Sequence, residues 1–260
     1  MILNYKINDN EFSVETPEQE FRTGESKVIS NKDTDILFNQ DWYSDGHTSE
    51  LLMTDEEFGN LKRGIENTLS NLIETHLGKD VSNFTLEKYH QYIDSDEEHF
   101  TIVSKTRDLF PSDFNFDTDT ILKKFKDILG FQVTDEIPNT DSKIHIIVRV
   151  NRPNSNDYNP PHKDSYEAFH YNDDVDETDS ALRFINFWIP IAGVTPKTSL
   201  PISPKSHLLS EDVILRTIGG GKVGKNKYRV GCIKEWDSNN LLQRSEVDYG
   251  EVLIFSSHLI

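Results

Sequence analysis

One cysteine in 260 residues leaves Cys232 without an intramolecular partner, which excludes an internal disulfide and any thiolate-based zinc site. Basic residues are scarce as well: 27 Lys and Arg stand against 45 Asp and Glu, a formal net charge of -18. A surface of that sign repels phosphate backbones, so nucleic acid is not an expected partner. No apolar run approaches the ~18 residues that a membrane span needs. The N-terminal stretch MILNYKINDNEF has neither a basic n-region nor an apolar h-region, so it does not read as a signal peptide. These absences point to a soluble cytoplasmic protein with no membrane partner. What the chain does have is apolar material for a core: 35% hydrophobic residues, with 15 Phe and 9 Tyr. A single large domain fits this length.

Periodicity divides the chain near residue 130. Residues 1 to about 50 are polar and acidic, with strand candidates at 5–14 and 27–30. Thr54-Asp55-Glu56-Glu57 is a capping box, in which the Thr side chain accepts from the third helical N–H and the Glu reaches back. Phe58, Leu61, Ile65, Leu69, Leu72, Ile73 and Leu77 then recur at spacings of three and four before Gly78, which predicts a long amphipathic helix. A second helix is expected over 85–93. A third begins at Asp117 or Thr118, carries Ile121, Leu122, Phe125, Ile128 and Leu129 on one face, and stops at Gly130.

Beyond 130 the period becomes two. Segments 131–134, 144–150, 182–191, 200–203, 213–218, 228–233 and 251–256 read as strands separated by loops rich in Asn, Asp, Gly and Pro. Helices followed by many short strands define an α+β chain whose main body is a β-sandwich or barrel. Strand parity sorts the faces. Ile144, Ile146, Val148 and Val150 share one face and should pack under the helices, with His145, Ile147, Arg149 and Asn151 opposite. Ile185, Phe187, Ile189 and Ile191 likewise leave Phe184, Asn186 and Trp188 on the other side. A polar residue beside an aromatic on an inward face suits a ligand pocket, and equally suits an edge strand with one wet face.

The chemistry-bearing motif is PPHKDSY at 160–166. In an extended segment, residues i and i+2 project to the same side, so His162 and Asp164 can share one metal ion. Two His and one carboxylate on one face make the site of a non-haem Fe(II) oxygenase. Alone, His-x-Asp is a common surface pair. Here it is followed by FINFWIPI (184–191), SLPISPKSHL (199–208) and DYGEVLIFSSHLI (248–260).

This ordered set, covering roughly 144–260, resembles the phytanoyl-CoA dioxygenase-like family of Fe(II)/2-oxoglutarate oxygenases. The resemblance implies a double-stranded β-helix (jelly-roll, cupin-like) core at 131–260, flanked by the helical and irregular residues 1–130. It also implies Fe(II), 2-oxoglutarate and O2, used to hydroxylate a small-molecule substrate, as in natural-product or secondary metabolism. Carried over, His162 and Asp164 become iron ligands. Asn186 and Trp188 fall where family members line the co-substrate pocket, and Arg149 and Asn151 are placed to reach co-substrate or substrate. Tyr166 and His170 become candidate substrate contacts, while Ser206 and His207 match a segment that reads as structural. In the family the distal His lies eleven residues after the glycine of the last motif, which from Gly250 gives the position after Ile260. The 2-oxoglutarate-anchoring Arg lies further on. The expectation is therefore a jelly-roll incomplete at its C-terminus, with His258 in a shifted register as the alternative third ligand. A cupin-like metal isomerase or lyase, and an inactive jelly-roll binding module, remain alternatives.

Two other signals are set aside. GGGKVGK at 219–225 has phosphate-loop spacing, but Asn226 stands where Ser or Thr should hold magnesium, so a hairpin loop is expected. The acidic cluster Asp173, Asp174, Asp176, Glu177 and Asp179 lacks the glycine and terminal Glu of a calcium loop and reads as a solvated lid.

Overall fold

The computed structural model describes residues 1–24, 30–107, 109–114, 117–134, 146–155, 157, 159–166, 184–224 and 226–260. Helix α1 spans Asp55–Leu77. Its start is fixed as the sequence predicts: Glu57 N donates to Thr54 Oγ1 and Thr54 N to Glu57 Oε2, and Gly78 closes it in the left-handed conformation (φ 65). α2 covers Asp96–Val103 and α3 Thr118–Leu129, the latter capped by Asp117 and ended by left-handed Gly130. The segment expected as a second helix is a short 3₁₀ helix, Leu86–Gln91. With β-region Thr85 making no side-chain cap, only one tight stretch forms there.

The N-terminal strand candidate 5–14 is a hairpin instead: β1 (Ile2–Ile7) and β2 (Asn10–Glu15) turn at Asn8, whose φ of 52 is a left-handed value that Asn tolerates. β3 is Arg22–Thr23 and β4 His47–Leu51. Most of 27–30 lies outside the described residues. The candidate 131–134 forms no strand, and from 144–150 only the bridge between Leu109 and Ile146 is formed among the described residues. Then follow β5 (Ile185–Trp188), β6 (Pro201–Ile202), β7 (Leu215–Arg216), β8 (Gly221–Val223), β9 (Asn226–Tyr228), β10 (Ile233–Glu235), β11 (Leu241–Arg244) and β12 (Glu251–Ser256). The candidate 228–233 is thus divided between the end of β9 and the start of β10, which pair with different neighbours.

The fold is mixed α+β. Strands gather in four small sheets of order β2-β1-β11-β6, β10-β7-β3, β4-β12-β5 and β8-β9, and among the described residues they close no barrel. β12 is the structural centre, with Val252, Leu253 and Ile254 all fully buried. Val252 and Ile254 face the helical core beneath α1 and α3, and Leu253 faces the opposite core with Ile202 and Leu259. β5 obeys the same parity: Ile185 and Phe187 join the helical core, where the Phe187 and Phe125 rings stack 3.8 Å apart, and Trp188 packs on the other side. Ile146, Val148 and Val150 also pack under the helices, as their alternation requires. Ile144 and His145 lie outside the described residues. No described helix is long and apolar enough to cross a membrane.

Candidate functional site

The segment 160–166 enters from a tied turn. Arg152 grips Asp157 through Nε (2.7 Å) and Nη2 (2.9 Å), and His99 Nε2 lies 3.2 Å from the same carboxylate. Backbone bonds then fix the segment itself, with Ile233 N donating to Pro161 O (2.8 Å) and Ser165 N to Ser257 O (2.9 Å). Burial alternates along it: Lys163 and Ser165 are completely buried, whereas the His162 and Asp164 side chains keep 21% and 39% of their surface exposed. The two candidate ligands therefore share the accessible side, as the i, i+2 argument requires.

His162 Nδ1 donates to Pro160 O (2.7 Å), which fixes the ring and turns Nε2 toward Asp164, 3.3 Å from Oδ1. Two donors at right angles around one metal, each about 2.1 Å from it, stand about 3 Å apart, so the pair fits a shared ion. Burial pulls the His162 pKa down, but the hydrogen bond and charge of Asp164 and the Pro160 carbonyl outweigh it, and the net shift is upward. Burial alone would raise Asp164; the hydrogen bond and charge of His162, then Arg149 and Asn186, hold it below the usual carboxylate value.

Arg149 and Asn186 are thus brought to the pair from two distant segments, on the faces their parity assigns. The Asn186 amide approaches Asp164 and lowers its pKa, and its buried Nδ2 completes no hydrogen bond of ordinary geometry among the described residues. Trp188 lies on the same face two residues on, opposite Leu253. Asn151 is exposed, and no hydrogen bond joins it to the group among the described residues. His170 and the acidic cluster at 173–179 lie outside the described residues.

Tyr166 and His258 sit elsewhere, behind the segment. Tyr166 is 3% exposed, donates to Glu211 Oε2 (2.9 Å), and lies under the Arg216 guanidinium (4.1 Å to the ring centroid). His258 is fully buried, neither ring nitrogen completes a hydrogen bond of ordinary geometry among the described residues, and burial drives its pKa down to about 4; Asp35, Lys163, His207 and the Thr34 backbone also act on it. Among the described residues no three His, Cys, Asp or Glu are grouped to hold a metal ion. His207 Nε2 donates to Tyr43 O (2.7 Å), and Ser206 Oγ accepts from Ile260 N, a structural use of that segment.

Sequence reasoning missed the ion pair beneath the site. Lys163, the residue between the candidate ligands, reaches Glu211 at 3.0 Å, and Glu211 also accepts from Arg216 Nε at 3.1 Å. The signal was available: if His162 and Asp164 face out, Lys163 must face in, and a buried ammonium needs an anion. A surface groove of about 480 Å³, lined among others by Lys6, Asp9, Glu11 and Gln243, lies apart from this site.

The chain matches no protein-family model, and it is not significantly similar to any curated protein or solved structure.

Proposed function

We propose that the protein is an Fe(II)- and 2-oxoglutarate-dependent oxygenase that hydroxylates a small molecule. One observation carries this reading: His162 Nε2 and Asp164 Oδ1 stand 3.3 Å apart on the accessible side of a rigid segment, with Arg149 and Asn186 gathered beside them. His162 and Asp164 would hold the iron. The bound metal with 2-oxoglutarate would supply oxygen activation. Arg149 offers a cation to a co-substrate carboxylate, Asn186 an unused amide donor, and Trp188 an apolar wall. A jelly-roll core, to which the same resemblance points, is supported by the antiparallel pairing of β5 with β12 across a long stretch of chain. Ser257 is bonded to Ser165, and Ile260 packs in the same cluster as Tyr166, so residues 257–260 lie beside the ligand segment.

A second reading, a jelly-roll binding module without catalysis, draws on the fact that only two donors are grouped among the described residues. Anaerobic titration with Fe(II), and with Co(II) as an air-stable spectroscopic probe, separates the two. The oxygenase reading expects saturable metal binding that His162→Ala and Asp164→Ala each weaken by about tenfold or more. It also expects oxygen uptake that depends on 2-oxoglutarate. Metal binding equal in wild type and both variants sinks it; binding without oxygen uptake leaves the cupin-like isomerase or lyase.

A further inference from the structure

Charge is unevenly distributed along the chain. Residues 213–234 contain six Lys and Arg and no Asp or Glu, whereas the remaining 238 residues carry 21 basic against 45 acidic side chains. Among the described residues, Arg216 is engaged with Glu211 (3.1 Å) and Lys234 with Glu235 (3.5 Å). Lys222 and Lys227 are not. Both are exposed on the β8–β9 hairpin, neither ammonium has an ion-pair partner among the described residues, and they lie directly opposite one another in the register. Like charges placed across a strand pair repel, so the fold tolerates this arrangement rather than gaining from it.

Among the described residues the same hairpin has one covered edge and one open one. Gln19 caps β8 like a short strand: Lys222 N donates to Gln19 Oε1 (3.0 Å), and Gln19 Nε2 donates to Lys222 O (2.8 Å). The Lys222 amide and carbonyl therefore point away from β9, which makes Lys222 and Lys227 a non-hydrogen-bonded pair of the antiparallel ladder. The amide and carbonyl of Lys227 must then point out of the opposite edge, and they have no partner there among the described residues.

We propose that this edge of β9 docks an extended acidic segment of a partner protein, added as a further strand. The Lys227 N–H and C=O supply main-chain bonds, and the lysine pair meets acidic side chains at alternate positions of the incoming strand. A short lysine-bearing edge also guards against pairing with apolar or basic strands. Toward an acidic strand the same lysines attract, so the guard becomes a selector. Long polyanions such as nucleic acid or an anionic membrane would bring their charge against the acidic remainder of the surface. A short strand touches only charges within the Debye length of ~8 Å. This inference is independent of the oxygenase reading.

The test uses the full chain and a short dye-labelled peptide in which Glu alternates with Val, followed by fluorescence anisotropy. Saturable binding that weakens with added salt is expected, with slower hydrogen exchange of the Lys227 amide in the complex. Lys222→Glu with Lys227→Glu should weaken binding by about tenfold or more, and the milder Lys222→Gln with Lys227→Gln should weaken it with an unchanged melting curve. Methylating alternate backbone nitrogens of the peptide should also abolish binding. The proposal is overturned by equal binding to both Lys variants, by equal binding of the methylated peptide, by no binding at low salt, or by tighter binding to an oligonucleotide or to phosphatidylserine vesicles.

Discussion

Glu211→Gln is expected to destabilise the protein more than Lys163→Met, although the two residues form one ion pair. The Glu211 carboxylate is 2% exposed and accepts from Lys163 Nζ (3.0 Å), Tyr166 Oη (2.9 Å) and Arg216 Nε (3.1 Å). Removing its charge leaves Lys163, whose side chain is fully buried, with no anion and with the Arg216 cation nearby. Breaking a buried pair in this way costs about 3–5 kcal/mol. Removing the ammonium instead leaves Glu211 still paired with Arg216 and bonded to Tyr166, so Lys163→Met forfeits one charge-assisted hydrogen bond, about 1.5–3 kcal/mol. At about 2–4 °C per kcal/mol for a chain of this size, the melting temperature should fall by roughly 10 °C in the first case and roughly 6 °C in the second. The double variant should be more stable than Glu211→Gln alone, because the stranded cation is gone. Urea unfolding followed by circular dichroism measures all three. Equal losses, a reversed order, or a double variant as unstable as the summed singles would refute the account of Glu211 as the anion that compensates both cations.

Two further outcomes follow from the same structure. Burial lowers the pKa of His99, His207 and, to about 4, His258, so each holds fewer protons folded than unfolded; their stabilisation is complete above pH 6.5 and is lost as pH falls, by about 3 kcal/mol for His258 near pH 4. Thermal melts between pH 7 and 4.5 should show this, and His258→Phe should flatten the slope; a wild-type melting point that rises toward pH 4.5 contradicts it. Thr54→Ala removes the side chain that caps α1 and should cost about 1 kcal/mol in chemical denaturation, with no change in metal or peptide binding.

Features written in a few adjacent residues survived intact from sequence to structure. The Thr54–Glu57 box and Gly78 set both ends of α1, Asp117 and Gly130 those of α3, and the alternation in 185–188 and 162–165 set which side chains share a face. The hairpin at Asn8 was less legible because Asn8-Asp9 reads as easily as a polar pair within a strand. The 3₁₀ helix at Leu86–Gln91 was missed because its residues have ordinary helical propensity. For the candidate site, the His-x-Asp spacing with the ordered motifs behind it singled out His162 and Asp164, and parity together with the resemblance singled out Arg149 and Asn186. The Lys163–Glu211–Arg216 network was not found, because its anion lies 48 residues downstream of the lysine.

The sequence by itself determined local matters: helix ends, the period of each strand, the acidic charge, and the outward aim of His162 and Asp164. Tertiary structure alone decided which strands meet. β1 lies parallel to β11, β12 separates β4 from β5, and Tyr166 and His258 turn inward to burial instead of joining the exposed pair. The division has a physical cause. Caps and alternation act through hydrogen bonds and side-chain directions within a few residues, whereas strand pairing and burial depend on contacts between segments whose separation along the chain carries no local signal.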